Sequence, residues 1–340
     1  MVDVNSNKNG GVKEAMDQAF STLQTIFSYF LLPVALPFVF FQECLTWFRE
    51  KVGLNKRSME GKVVLITGAS SGIGETLAHN FYNLGCRLIL ASRRREELER
   101  VKDDLVRQKS TGCRVYVPAV LEMDLGEIKA IPAKAKAALA IYERIDILVN
   151  NAGILHTGNV LATDIEVDKK IMDVNYFGTL SLTKVVANSM KEKKSGHIVF
   201  MSSVSGKIAT PHSSAYCASK HAMQALADSL RAEVADDGIE VTSICPGYVK
   251  TNISVNALTG SGSTFGRTSK NIATGLSPQV VCDRVVKAVQ NGEKDLVISP
   301  WIPKIAIFLR YLTPNLFFYL MRRMARAYNK RDKDENSSKQ

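Results

Sequence analysis

No two cysteines of this 340-residue chain stand as a C-x-x-C pair; Cys44, Cys86, Cys113, Cys217, Cys245 and Cys282 are widely scattered. Most lie inside apolar runs, where a cysteine behaves as a small hydrophobe. That argues for reduced thiols in a domain facing the cytosol. The five histidines show no ligand spacing either, so no metal site is expected. Nucleic-acid motifs are missing, and basic residues interleave with aromatics only near the C-terminus, which sets nucleic acid aside as a partner. Charge is absent altogether from Gln18 to Gln42. Elsewhere it abounds: 44 Lys and Arg against 33 Asp and Glu give a formal net charge of +11. Such a balance suits an anionic membrane or a phosphorylated ligand. With 46% hydrophobic and 23% charged residues, the composition is globular.

Three regions follow from the pattern. Residues 1–58 carry the uncharged stretch, whose centre reads IFSYFLLPVALPFVFF, long enough to cross or enter a hydrocarbon core. It lacks the basic start and small-residue cleavage site of a secretory signal, so a retained membrane anchor is expected. Pro33 and Pro37 leave two forms open, a kinked spanning helix or a hairpin entering one leaflet, and a helix buried on the soluble body is the bland alternative. Arg49, Lys51, Lys56 and Arg57 follow the segment, which places the catalytic body on the cytosolic side.

Residues 59–300 alternate short apolar runs (KVVLIT, RLILAS, RVYVPAV, IDILVN, HIVFMS, IEVTSIC, DLVIS) with helical patterns such as REELERVKDDLVRQ. Alternation of this kind predicts an α/β fold, a doubly wound parallel sheet covered by helices on both faces. Residues 301–340 gather aromatic and aliphatic side chains, then Arg322, Arg323, Arg326, Lys330 and Arg331. They predict an amphipathic basic helix with a polar tail. It lies on an anionic membrane, closes over a substrate pocket, or does both.

TGASSGIG, residues 67–74, follows the first strand and opens a helix. Gly68, Gly72 and Gly74 let the backbone turn tightly and approach a pyrophosphate at the helix N-terminus. The second strand ends in LASRRREEL, with Ser92 where an NAD site would place a carboxylate, then Arg93 and Arg94. A guanidinium grips a 2′-phosphate that a carboxylate would repel, so NADP(H) is the expected cofactor. Asp124 follows the third strand in position to contact adenine, and NNAG at 150–153 closes the fourth.

In SSAYCASKHAM, residues 213–223, Tyr216 and Lys220 stand four apart and so share one helix face. A positive charge beside a phenol favours the phenolate, lowering a pKa that is ordinarily about 10. An ordinary helix can also carry this pair by chance. Ser202 and Ser203 end the fifth strand, and Ser203 and Tyr216 can present both hydroxyls to one carbonyl oxygen. Asn175, in a helix bearing DVNYFG, can hold a water that continues a proton path from Lys220.

Together TGASSGIG, NNAG, Asn175, Ser203, the YCASK run and PGYVKT at 246–251 resemble the short-chain dehydrogenase/reductase pattern over residues 61 to about 300. The resemblance implies a single Rossmann-type domain. It implies Tyr216 as general acid/base, Lys220 as the residue lowering its pKa and binding the nicotinamide ribose, Ser203 as the group polarising the carbonyl, and Asn175 in the relay. It further implies cofactor contacts from Thr67, Gly68, Ser70, Ser71, Gly72, Ile73, Gly74, Asp124, Leu125, Asn151, Ala152, Gly153, Tyr216, Lys220, Pro246, Gly247, Val249 and Thr251. TNISVNALTGSGSTFGRTS, NLFFYLM and the N-terminal anchor resemble the membrane-attached member 7B branch of that family. That branch includes a peroxisomal reductase of acyl- and alkyl-dihydroxyacetone phosphate, so a lipophilic ketone, an endoplasmic-reticulum or peroxisomal membrane, and a homo-oligomer built on the helices around Asn175 and Tyr216 are expected.

Residues 252–277 form a long Gly-, Ser- and Thr-rich segment of the kind that closes over substrate. Its Arg267 and Lys270, with Lys250 just before, either hold a substrate phosphate or are simply solvated. A steroid, retinal or other lipophilic ketone would need no such cations. A third reading, a catalytically silent NADP-binding membrane adaptor, is compatible with the fold but leaves the intact Ser, Tyr and Lys without a purpose.

Overall fold

The computed structural model describes residues 57–108 and 116–337 (of 331–337 the backbone alone), with Ser21, Thr22, Pro37, Phe41, Cys44 and Leu45 near the N-terminus. The chain forms two compact units, Met1–Lys56 and Arg57–Gln340. The expected anchor falls almost wholly outside the described residues, and among those that are described no helix is long and apolar enough to cross a membrane.

In the second unit the strands are β1 (Val63–Thr67), β2 (Arg87–Ser92), β3 (Ala119–Glu122), β4 (Ile147–Asn150), β5 (His156–Thr157), β6 (Gly196–Met201), β7 (Ile239–Pro246), β8 (Leu258–Thr259) and β9 (Asp295–Ile298). The helices that matter below are α1 (Gly72–Asn83), α2 (Arg95–Arg107), α3 (Ile131–Tyr142), α4 (Ile165–Met172), α5 (Gly178–Glu192), α6 (Ser214–Glu233), α7 (Pro278–Asn291), α8 (Trp301–Leu312) and α9 (Pro314–Ser337). The main sheet has seven strands in the order β3-β2-β1-β4-β6-β7-β9, every neighbouring pair parallel. All seven expected strands are present. One is displaced: the run RVYVPAV was to carry the third, but β3 starts only at Ala119, after Pro118. Proline has no N–H to give to a ladder, which suits it to the start of an edge strand and not to its interior.

Strand β1 shows why the sheet needs cover on both faces. Val64 and Ile66 pack in one core with Leu77 and Phe81 of α1, Leu98 and Val101 of α2, and Val285 of α7. Val63 and Leu65 pack in a second core with Ile131 of α3, Leu182 and Val186 of α5, and Met223 of α6. Side chains alternate at period two, so a strand apolar at every position must be buried on both sides. On α2, Leu98, Val101 and Leu105 are buried at i, i+3 and i+7. Each such side chain stabilises the fold by about 1.5–3 kcal/mol.

The helix bearing DVNYFG is not uniform. Between α4 and α5 the residues Asp173–Phe177 form a π turn, in which the Gly178 N–H donates to the Asp173 carbonyl five residues back. Gly178 is required there, because a Cβ would lie 2.1 Å from the Leu125 carbonyl oxygen. The C-terminal region also differs from a single helix: Thr313 and Pro314 divide it into α8 and α9. Phe317 of α9 is buried against Val204 and Ile208, so α9 packs beside the segment that follows β6.

Candidate active site

A parallel sheet brings the C-terminal ends of its strands to one edge, and there β1, β4, β6 and β7 deliver the motif residues. Thr67, the last residue of β1, ties the first two together. Its hydroxyl donates to the Val149 carbonyl (3.2 Å) and accepts from the Asn151 and Ala152 N–H groups (3.0 Å each). Asn151 returns the contact, its amide donating to the Thr67 carbonyl at 2.8 Å. Of the two asparagines in NNAG, Asn151 thus hydrogen-bonds backbone across the strand ends, whereas Asn150 donates to the Thr183 hydroxyl at 2.9 Å.

The glycine loop is a cradle that side chains would fill. A Cβ at Gly74 would lie 2.2 Å from the Gly68 carbonyl oxygen, and Gly68 and Gly72 hold φ of +67° and +59°. Only glycine adopts such a backbone without strain. A Cβ on Gly72 would meet Thr251 at 3.1 Å, so Thr251, beyond β7, bounds the cradle from the other side. Ser71 makes no side-chain cap on α1, leaving the first-turn N–H groups available to an anion. Across the loop lies Arg94, whose guanidinium donates to the Ser70 and Ser71 hydroxyls at 2.9 Å each, while its N–H donates to Ser92 Oγ at 3.2 Å. Arg93 stands 3.9 Å from Asp124. These residues fit the phosphates of a nicotinamide dinucleotide. Asp124 turns its other oxygen to the Gly126 N–H (2.8 Å), and Leu125 is buried beneath.

Past β6, Ser203 caps a short turn: its Oγ accepts from the Ser205 N–H (3.0 Å) and reaches the Pro246 carbonyl at 3.5 Å. Ser203 lies near enough to the Tyr216 phenol for its hydrogen-bonding influence to pull that pKa down. Lys220, buried one turn on, donates from Nζ to the Met201 carbonyl at 2.8 Å and lies 5.7 Å from the centre of the Tyr216 ring. Gly153 lies beside it: a Cβ there would crowd Asn175 Oδ1 at 3.2 Å and make only ordinary contact with Lys220 Nζ at 3.6 Å.

The structure modifies two expectations about this cluster. First, the Tyr216 phenol lies above its ordinary value, not below it. Burial pushes the phenol up to about 12, with the Ser203 hydrogen bond pulling the other way. Burial also brings Lys220 down to about 8. Loss of water is the largest influence on both groups. Second, the Asn175 side chain also serves as a brace. Its Oδ1 accepts from the Ile154 N–H (2.8 Å), and its Nδ2 donates to the Ile154 carbonyl (2.9 Å) and to Ser219 Oγ (3.0 Å). The second lone pair of Oδ1 stays open, so a relay water can still bind at Asn175. Ser219, which no motif singles out, completes the brace by donating to the Tyr216 carbonyl at 2.8 Å.

The buried lysine has a measurable cost. Its pKa of about 8 in the fold lies below the ordinary 10.5, so the unfolded chain binds more protons between those values. Stability from this group therefore rises with pH across that window, by up to about 3 kcal/mol. Denaturant titrations from pH 7 to 10.5 on wild type and Lys220→Met are expected to diverge this way, the variant lacking the rise. Cys245 and Tyr216, both raised by burial, contribute the opposite slope in both proteins and leave the difference intact.

On the substrate side, β5 and β8 pair in parallel and join the segment after β4 to the 252–277 segment. Arg267 and Lys270 are both exposed, Arg267 lying over the Phe265 ring at 4.6 Å. Helix α9 reaches the same region: His212 Nε2 lies 3.0 Å from Asn329 Oδ1, and Asn271 Nδ2 donates to the Tyr328 hydroxyl at 3.5 Å.

A family model described as short chain dehydrogenase matches residues 62–262. A Drosophila melanogaster relative named dehydrogenase/reductase SDR family protein 7-like is 47% identical over 92% of this chain and 94% of its own. The dehydrogenase/reductase SDR family member 7B of Xenopus laevis is 43% identical over 80% of this chain and 84% of its own. Among solved structures, a short-chain dehydrogenase from Sphingobium yanoikuyae in complex with NADPH superposes with a TM-score of 0.62 at 27% identity, covering 69% of this chain and 87% of that one. A Burkholderia phymatum enzyme in complex with NAD shares the fold with a TM-score of 0.67 at 24% identity, over 76% of this chain and 96% of that one. With the family model spanning more than half the chain and a close relative aligned along nine tenths of it, this protein belongs to the short-chain dehydrogenase/reductase family and is an oxidoreductase.

Proposed function

We propose that this protein reduces a ketone on a lipophilic substrate with NADPH, at a cytosol-facing membrane of the endoplasmic reticulum or peroxisome and as a homo-oligomer. The observation that carries the chemistry is the hydroxyl pair of Ser203 and Tyr216, with buried Lys220 and Gly153 beside it at the edge where the glycine loop opens. The NADPH preference rests on Arg94 lying across Ser70 and Ser71 at the end of β2, where no carboxylate ends the strand. In the NADPH reading, Arg94 and Arg93 take the 2′-phosphate, the loop amides take the pyrophosphate, and Asn151, Gly153 and Lys220 flank the nicotinamide end. The nicotinamide supplies the hydride when bound.

Tyr216 is held protonated by burial, which is the state that donates to a carbonyl oxygen as charge develops on it. Ser203 donates to the same oxygen, and the two hydroxyls act as an oxyanion site. Lys220, brought near neutrality, exchanges protons readily and restores the phenol from solvent. Ser219 and Asn175 fix the helix turn that carries Tyr216.

For the substrate we favour an acyl- or alkyl-dihydroxyacetone phosphate, with Arg267 and Lys270 receiving the phosphate. Their exposure on the 252–277 segment supports this, as does the resemblance to the member 7B branch. The apolar contact of Phe317 with Val204 and Ile208 beside Ser203 suits an unphosphorylated steroid or retinal equally well. Detergent-solubilised protein is expected to oxidise NADPH with palmitoyl-dihydroxyacetone phosphate, and Arg267→Gln with Lys270→Gln to raise KM about tenfold or more at unchanged kcat. Turnover of the unphosphorylated ketones alone would overturn the phosphate assignment and leave the reductase chemistry standing.

A further inference from the structure

The two C-terminal helices are apolar on the wrong side for a surface surrounded by water. On α8, Ala306, Ile307 and Leu309 face the protein. The opposite face repeats Trp301, Ile305, Phe308 and Leu312 at i, i+4, i+7 and i+11, and these are 69%, 46%, 62% and 61% exposed. On α9, Phe318 and Tyr319 add more than half of their surface to the same region of chain. Isolated exposed hydrophobes are ordinary, but a stripe of four large ones on one helix face marks a surface that something covers.

Charge says what covers it. From Trp301 to Arg331 there is no acidic residue, while Lys304, Arg310, Arg322, Arg323, Arg326, Lys330 and Arg331 are basic. Along α9 the exposed residues change from apolar (Leu316, Phe318, Tyr319) to cationic (Arg322, Arg323, Arg326). Two copies of the stretch from Trp301 to Arg331 face to face would oppose like charges, the acidic residues of α9 (Asp332, Asp334, Glu335) coming only after it. An anionic lipid surface instead offers acyl chains to the apolar stripe and headgroup phosphates to the guanidinium groups.

We propose that α8 and α9 form a docking hairpin for an anionic bilayer, the stripe from Trp301 to Leu312 entering the headgroup–acyl boundary and the cations of α9 taking lipid phosphates. The inner face of the same hairpin touches the catalytic side, through Phe317 on Val204 and Asn329 on His212. Docking therefore sets the substrate side of the cleft against the membrane, so that a ketone dissolved in lipid reaches Ser203 without crossing water. The docking stands whether or not the substrate carries a phosphate.

The chain contains two tryptophans, Trp47 and Trp301, so Trp47→Phe leaves Trp301 as a reporter on the stripe itself. The full-length variant is reconstituted with vesicles of phosphatidylcholine, with or without phosphatidylglycerol, whose acyl chains carry bromine. Bromolipid is expected to quench Trp301 and acrylamide to lose access to it, most strongly with phosphatidylglycerol. Because each cation near an anionic surface changes partitioning roughly fivefold, replacing Arg322, Arg323 and Arg326 by Gln should weaken the quench by at least tenfold in apparent affinity. That loss should vanish in pure phosphatidylcholine. Whatever else holds the chain to the vesicle, the quench reports the place of α8 alone. Unchanged acrylamide access with no bromolipid quench would overturn the proposal. Protection from acrylamide that follows protein concentration and not lipid would overturn it in favour of self-association.

Discussion

Tyr216→Phe is expected to lower kcat for ketone reduction by roughly 10²–10⁴-fold while NADPH binding changes less than about threefold. The substitution keeps the ring beside Lys220 and removes only the hydroxyl near Ser203. It therefore deletes the proton donor without opening a cavity, and a circular-dichroism melt should show little change. Single-turnover absorbance of NADPH measures the chemical step, and NADPH fluorescence measures binding. A loss smaller than tenfold would place the donor elsewhere, with Ser203 or water as the remaining candidates. A protein retained only for binding would show no turnover in wild type, so the comparison also tests the adaptor reading.

Arg94→Asp should invert the cofactor preference. Hydrogen bonds to charged groups contribute about 1.5–3 kcal/mol each, and a carboxylate in place of the guanidinium adds repulsion of the 2′-phosphate. Together these predict a fall of about 10²–10³-fold in kcat/KM for NADPH, with NADH unaffected or improved. Arg94 also braces Ser70 and Ser71, so some loss common to both cofactors is expected from a loosened loop. The ratio of the two cofactors isolates the phosphate effect, and raising the salt should narrow the wild-type preference. A wild type that uses NADH and NADPH equally would remove the NADP assignment at once.

Much of this site was legible because it is built from local motifs. The five central runs are apolar and buried at almost every position, which is the pattern of strands covered on both faces; the edge strands β3 and β9 are partly exposed. The glycine loop and NNAG announce themselves by residues whose backbone needs are specific. What stayed hidden depends on distance in sequence or on competition between forces. Ser219 reads as one more small residue in YCASK, and its link to Asn175 spans 44 positions. The bond from His212 to Asn329 spans 117, and no local pattern announces it. Tyr216 and Lys220 were placed correctly as neighbours, yet spacing cannot weigh Coulomb attraction against desolvation. Burial decides that balance, and burial belongs to the whole fold. The break at Thr313–Pro314 was readable in principle, since proline opens a new helix more easily than it continues an old one.

The π turn at Asp173–Phe177 carries a consequence for the rod it interrupts. One additional residue in a helical turn rotates everything beyond it by about 100° relative to an unbroken α-helix. Before the turn, Val167 and Ile171 face Ala215 near the start of α6; after it, Leu182, Val186 and Met190 face the sheet. A single straight helix with this sequence could satisfy one of these contacts and would swing the other toward solvent. The turn works as a phase shifter: it lets one rod serve two partners lying in different directions, with Asn175 at the joint. Deleting one residue there would let a regular α-helix keep both faces in phase, so what the turn adds is the placement of Asn175 at the joint.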